Sequence, residues 1–381
     1  MNVRTKLLNV LNFNVGEPIP EWEFAYWYDT VERWYGEGLP RVKPTPKIPY
    51  QQWLAGDAMA RYEYDVHNYF GFDEWADMVA VNPNAYPPFK KIVYEEDEED
   101  ITYRREDGKV IKTKKDGSSM PNFLKYPVKN EQDFEDIKVR FNPDEPKRFP
   151  PNWEELVSQY KNRSFPLFLG GNNVSGFYSI IREFLGVEDS LYAFYDQPDL
   201  VIKILDFFVD YYIKLYSKIL QQVEVDCIFI WEDMCFKNGP LVSPSIFKKI
   251  IVPYYKKFTD KMKELGVKHF IVDTDGNFEV LIPLFIEGGV TGFYPFEVQA
   301  GMDIEKIRSM YPQLVIFGGI NKMVLSQGKV AIDHEVEKVG RMLEKGGYLP
   351  YTDHMVPPEV SFENYVYFRK KLKEVLEKKR S

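Results

Sequence analysis

Residues 269–297 read HFIVDTDGNFEVLIPLFIEGGVTGFYPFE. A short apolar run, His269–Val272, ends in the polar punctuation Asp273-Thr274-Asp275-Gly276-Asn277. An amphipathic stretch, Phe278–Glu287, follows, and a second apolar run, Thr291–Pro295, ends in Phe296-Glu297. Such runs on either side of a helical pattern make a strand–helix–strand unit. The crossover helix returns the chain to the same end of the sheet, so the two strands pair in parallel.

The unit recurs in both directions. Strands are expected at Phe165–Gly170, Asp226–Trp231, Val315–Gly318 and Gly347–Pro350. Helices are expected at Asp199–Gln222, Ser245–Leu265, Ile304–Met310 and Ile332–Glu344. Leu200, Ile204, Phe207, Phe208 and Tyr211 show the three- and four-residue spacing of a buried helical face. Two upstream runs, Glu21–Tyr26 and Met78–Val81, complete the set of eight at which a parallel sheet closes around its own side chains. The expected fold is therefore α/β, a (β/α)8 TIM barrel forming one domain over residues 1–381. An open doubly wound sheet is the alternative, but no Gly-x-Gly-x-x-Gly opens a helix.

One segment breaks the alternation. Lys90–Tyr103 and Arg104–Lys115 read as a β-hairpin turning at Asp107-Gly108, an insertion over about residues 90–117 between strands 2 and 3. It carries the acidic run Glu95–Asp100 and the basic Lys112, Lys114 and Lys115. That charge suits a solvated surface, a lid over the mouth or a docking face.

Composition narrows the function classes. With 44% apolar residues the chain can bury a full core, and no run of eighteen apolar residues suggests a membrane span. The net charge of −9 argues against nucleic acid or an anionic membrane as partner. Met1–Gly16 lacks the apolar core of a secretory signal. Cys227 and Cys235 are the only cysteines, which fits a reducing cytoplasm better than a disulfide scaffold. Seven Trp, 26 Tyr and 28 Phe make up 16% of the chain. Such content serves a bulky core with a subunit interface, as in a homodimer, or a pocket for a flat apolar ligand.

In a barrel of this kind the βα loops aim their side chains over one shared mouth. The residues following successive strands are Asn172 and Asn173, then Glu232, Asp233 and Cys235, then Asp273, Asp275 and Asn277. Glu297, Asn321 with Lys322, and Asp353 with His354 complete the ring. Asp273 and Asp275 lie two apart and would share a face of an extended strand. Two such charges raise one another's pKa unless a cation sits between them. A divalent metal, joined by Glu232, Glu297 or His354, would answer both. Alternatively, Asp275 caps the next helix or joins an ion pair. Of the four histidines only His354 ends a strand, while His67, His269 and His334 do not suggest a site. Both cysteines read as small buried residues.

These end signatures resemble the uroporphyrinogen decarboxylase superfamily, which also contains cobalamin-dependent methyltransferases. The resemblance runs from about Pro20 to Leu376. It rests on Gly170-Gly-Asn-Asn-Val-Ser-Gly-Phe-Tyr178, Tyr195-Asp-Gln-Pro-Asp199, Asp273-Thr-Asp-Gly-Asn277, Gly318-Gly-Ile-Asn321 and Asp353-His-Met-Val-Pro-Pro358. The opening, Pro20-Glu-Trp-Glu-Phe-Ala-Tyr-Trp27 through Trp34-x-x-Glu37-Gly38-Leu-Pro40, looks like a subgroup described as decarboxylase-like.

The resemblance implies the barrel and a choice of chemistries. The decarboxylases hold their polycarboxylate porphyrinogen with arginines on the first strand, and Trp22–Trp27 contains none. Tyr178 and His354 do match a tyrosine and a histidine of the decarboxylase pocket. The thiol-serving methyltransferases bind zinc through His-x-Cys on the fifth strand and a Cys on the eighth. Here Asp273-x-Asp275 and His354 stand at those places, which makes a harder, more Lewis-acidic site. The implied reaction moves a methyl group from an O-methyl donor, a methoxyaromatic, to the cobalt of cobalamin carried by a separate corrinoid protein. The implied metal ligands, for zinc, are Asp273, Asp275, Glu297 and His354. His354, Glu232 and Tyr178 are the expected catalytic acids. Trp22, Tyr26 and Trp27, with Asn172 and Asn321, are the expected contacts to the methyl donor. Two readings stay open beside it: a lyase acting on a smaller carboxylic acid through Tyr178 and His354, and a non-catalytic ligand-binding barrel.

Overall fold

The computed structural model describes residues 1–41, 59–115 and 121–378, apart from the side chains of residues 59–63 and 172–175. In chain order the strands are β1 (Asp77–Met78), β2 (Ile92–Glu96), β3 (Asp100–Arg104), β4 (Val110–Lys114), β5 (Asn122–Lys125), β6 (Leu167–Ser175) and β7 (Cys227–Trp231). They continue with β8 (Cys235–Phe236), β9 (Gly239–Pro240), β10 (Phe270–Asp273), β11 (Gly292–Tyr294), β12 (Val315–Phe317) and β13 (Tyr348–Leu349). Seven of them form one curled parallel sheet in the order β1-β6-β7-β10-β11-β12-β13, a TIM-like α/β arrangement. Each strand–helix unit lays its strand beside the preceding one, which keeps sheet order equal to chain order. A sheet covered on both faces needs near-continuous apolar strands. Accordingly, β7, β10 and β12 are buried along almost their whole length.

The edge strands β1 and β13 are bridged by the segment Glu21–Trp27. On one side Asp73 N donates to Glu21 O at 3.2 Å and Trp22 Nε1 to Glu74 O at 3.0 Å. On the other, Thr352 N donates to Glu23 Oε1 at 2.8 Å, Val356 N to Ala25 O at 2.9 Å and Trp27 N to Val356 O at 3.2 Å. Only Tyr26 makes a ladder bridge, to Val356, so the strand expected over Glu21–Tyr26 is an extended tie. The strand expected at Met78–Val81 is also shorter. Val79 N still reaches Phe168 O, but Val81 N then closes on Val79 O and turns the chain off the sheet.

The helices follow the sequence periods, with one informative break. Pro198–Leu220 starts on a proline, whose missing N–H is harmless there, and buries Leu200, Ile204, Phe208 and Tyr211. The continuous helix expected over Ser245–Leu265 is interrupted by a π-helical turn at Phe247–Ile251. Pro253, in the first turn of Val252–Glu264, cannot donate to the preceding turn, and the wider turn accommodates it. No helix among the described residues is long and apolar enough to cross a membrane.

Between β1 and β6 lies an antiparallel four-stranded sheet, β2-β3-β4-β5. The Asp107-Gly108 turn joins β3 to β4, but the first arm is split. Asp97 Oδ1 accepts Glu99 N at 2.9 Å and Asp100 N at 2.7 Å, and this side-chain turn separates β2 from β3. The single hairpin expected there is therefore corrected to a four-stranded sheet, with residues 116–120 outside the described set.

Candidate active site

Three strand ends set the floor of the mouth. Asp273 pairs in register with Trp231 on β7 and with Tyr294 on β11. Register partners on neighbouring strands point to the same face, so the three side chains form one layer. Tyr294 OH donates to Asp273 Oδ2 at 2.8 Å. Burial, and then the charge of Asp275, hold the Asp273 carboxyl well above the usual carboxylate range.

Asp275 lies beyond the end of the strand. β10 ends at Asp273, and the chain swings away through Gly276, at φ +74°. A Cβ there would also lie 2.6 Å from Cys235 O, so both conformation and space require glycine. Of the expected Asp273–Asp275 metal pair, Asp275 alone belongs to the cluster of potential ligands found here. Asp275 meets Glu297 and His354, and one ligand atom from each of these three lies within 4.8 Å of the others. Asp275 Oδ2 is 3.7 Å from His354 Nε2.

Neighbouring loops fix this triad. Gly276 N donates to Glu297 Oε2 at 2.9 Å, leaving Oε1 toward Lys322 Nζ at 3.6 Å. The fully buried Asp353 accepts Val298 N at 2.8 Å and Lys322 N at 3.0 Å, tying together the loops that follow β11, β12 and β13. Phe24 lies against the His354 ring with centroids 4.7 Å apart. Burial and then Lys322 hold His354 down to about 4, so its imidazole is neutral near pH 7 and keeps a lone pair. Burial, then Glu297 and Asp233, push Asp275 up to about 7. Burial also pushes the Cys235 thiol up to about 12.

The remaining expected site residues are elsewhere. Glu232 has no exposed surface, and its carboxylate accepts Tyr178 N (3.2 Å), Ser179 N (2.8 Å), Ser179 Oγ (2.7 Å) and Tyr255 OH (2.5 Å). It clamps the start of the helix Ser179–Leu185 onto the end of β7, so the expected catalytic acid is a structural anchor. The clamp is tight: a Cβ on Gly176 would lie 2.3 Å from Glu232 Cδ. Tyr178 is fully buried, beside the ring of Phe194. Trp22 is buried against Trp75, and Tyr26 OH is bonded to Tyr365 OH at 2.8 Å. Both belong to the packed tie between sheet edges, whereas Trp27 is 39% exposed. Asn321 Oδ1 caps the turn after β12, accepting Met323 N and Gln299 Nε2 at 3.0 Å. The side chain of Asn172 lies outside the described residues.

Sequence reasoning placed Lys322 in the ring without a role and gave none to Phe24, Tyr294 or Tyr351; all four meet at the mouth. Phe24 carried a signal, as the middle aromatic of the Trp22-x-Phe24-x-Tyr26 alternation. Tyr294 reads as an ordinary strand residue and Tyr351 as the first residue past one.

The family model described as uroporphyrinogen decarboxylase (URO-D) matches residues 111–375, and the chain belongs to that family. No curated protein matches the chain. Among solved structures it is similar to 3-keto-L-gulonate-6-phosphate decarboxylase from Vibrio cholerae, at 10% identity over 60% of this chain and 80% of that one, with a TM-score of 0.27. It is also similar to a Listeria monocytogenes protein provisionally assigned as a vitamin-B12-independent methionine synthase, at 11% identity over 60% of this chain and 68% of that one, with a TM-score of 0.30.

Proposed function

We propose that this member of the uroporphyrinogen decarboxylase family is a methyltransferase that moves a methyl group from an O-methyl donor, a methoxyaromatic, to the cobalt of a corrinoid carried by a partner protein. The observation that carries the reading is the Asp275–Glu297–His354 triad beside the ring of Phe24. Its donors are two carboxylates and an imidazole, a set suited to zinc or another hard divalent cation. The fit is supported by the repulsion already present. Asp275 is held up by Glu297 and Asp233, with Lys322 the one opposing charge among its principal neighbours. A bound divalent cation would supply Lewis acidity to the oxygen that leaves as the methyl group departs.

The chain's own residues do the rest. Gly276 N and Lys322 orient Glu297, and Asp353 fixes the loops that carry Lys322 and Val298. Phe24 holds the imidazole plane. Asp273, which accepts the Tyr294 hydroxyl, closes the floor. The first-strand segment Trp22–Trp27 carries none of the arginines that a polycarboxylate porphyrinogen would need. A reducing cytoplasm suits the two buried free thiols.

The test is methylation of cob(I)alamin, followed spectroscopically, across a panel of methoxyaromatics, with metal analysis of the purified protein. His354→Ala is expected to lose bound zinc and to slow transfer about 10²–10³-fold, the scale of several kcal/mol of Lewis-acid stabilisation. Absence of transfer with every donor, together with CO2 release from a small carboxylic acid, would replace this reading with the lyase.

A further inference from the structure

Below the triad, a second group of residues has no part in holding a cation. Phe24 lies 5.9 Å from the Tyr294 ring and 6.4 Å from that of Tyr351, centroid to centroid. Tyr294 continues to Phe229 at 4.7 Å, Phe229 stacks on Phe168 at 5.9 Å, and Trp75 meets Tyr351 at 6.5 Å. These rings form a continuous wall, with the Tyr294–Asp273 hydrogen bond at its upper end.

The wall has two properties that a packed core lacks. Phe24, Tyr294 and Asp273 keep partial exposure although Tyr294 and Asp273 belong to the inward layer of the sheet, and Trp75 and Met78 at the rim are 38% and 44% exposed. Solvent therefore reaches this layer. The second property is a hydroxyl that the protein leaves to solvent. Tyr351 is 2% exposed, and among the described residues its hydroxyl has no partner. Asp273 and Tyr294, the polar groups of the same wall, already satisfy one another. The ring of Tyr351 cannot easily turn to find a partner. It sits against Gly318, where a Cβ would come 3.1 Å from Tyr351 Cε2 and 2.4 Å from Pro295 O. Solvent reaches this hydroxyl, which is not among the buried polar atoms left without a partner, and a hydroxyl that only water satisfies can exchange that water for an oxygen on a bound ring.

We infer that this wall is the subsite for the ring of an aromatic ligand, and that the Tyr351 hydroxyl is its polar anchor, donating a hydrogen bond to an oxygen carried on that ring. Phe24 joins the subsite to the triad, since it contacts both His354 and the wall. This replaces Trp22, Tyr26 and Trp27 as the contacts to the ring. That the ring belongs to a methyl donor rests on the proposed function; that a ring binds here does not.

The experiment titrates phenol, anisole and toluene into the full chain by calorimetry, for the wild type, Tyr351→Phe and Phe24→Leu. The wild type should bind phenol about tenfold more tightly than toluene, the scale of one net hydrogen bond. Y351F should bind both as the wild type binds toluene, with an unchanged or higher Tm, a result that a merely structural tyrosine would not give. F24L should weaken all three ligands. A phenol-to-toluene ratio unchanged in Y351F, or no binding of any ring to the wild type, overturns the inference. Ring binding without cob(I)alamin methylation removes the proposed reaction and leaves the subsite standing.

Discussion

Two carboxylates leave the neighbouring strands β7 and β10 and meet opposite fates. Glu232 is enclosed without exposed surface and accepts hydrogen bonds from Tyr178, Ser179 and Tyr255. Asp275 keeps 38% of its side chain exposed, faces Glu297 and Asp233 as like charges, and has His354 at 3.7 Å. Both are acids just past a strand, and the sequence around them reads alike. What separates them is supplied from distant parts of the chain, which delivers donors to one and more carboxylates to the other. A carboxylate that the fold satisfies is part of the scaffold; one that it leaves short of partners is free for chemistry.

Breaking the anchored acid should give the largest effect. Glu232→Ala strands the buried donors around it and should cost about 3–5 kcal/mol of stability, read from denaturant unfolding. A loss below about 1 kcal/mol would erase the contrast. The unsatisfied acid should respond with the opposite sign. With its folded pKa raised to about 7, against an ordinary value near ~3.9, the native state binds the extra proton. Stability from this group is then fullest below about pH 4 and falls as pH rises toward 7. In the presence of a chelator, Asp275→Asn should therefore raise Tm at pH 8 and lose that advantage by pH 4. Solvent reaching the side chain screens the effect, so the gain should be smaller than the loss in E232A. An Asp275→Asn protein less stable than wild type at pH 8 would show that this carboxylate, too, belongs to the scaffold. Smallest of all should be Trp27→Ala, which alters an exposed ring outside the wall. Its phenol affinity should stay within about twofold of wild type, and a larger loss would bring the rim into the subsite.

The sheet was legible because a parallel sheet is written as uninterrupted apolar runs: β7, β11, β12 and β13 fall inside the runs expected for them, and β10 overruns its own by one residue, Asp273. Glu21–Trp27 was legible as extended chain but not in orientation. In a regular strand Phe24 and Tyr26 would share a face, yet Phe24 turns to His354 while Tyr26 turns to Tyr365. The rotation between them follows from partners more than three hundred residues away, Thr352 and Tyr365, which bond the Glu23 carboxylate. Asp275, Glu297 and His354 could be read because strand ends converge on one mouth. Asp273 was grouped with Asp275 because alternation was carried past Asp273, where β10 ends. Tyr351 gave no signal, since an unpaired hydroxyl is a property of neighbours and not of a residue type.

The tie between the sheet edges also sets an order of events during synthesis. Glu23 leaves the ribosome 329 residues before Thr352, to which it bonds. At roughly 5–20 residues per second, the interval is on the order of 15–65 seconds. Throughout it, the carboxylate of Glu23 and the backbone of Ala25 and Trp27 have no native partner on that side. Nascent chains should accordingly stay open to proteolysis and chaperone capture at this segment until the last strand–helix unit has emerged, and acquire protection there in a single late step.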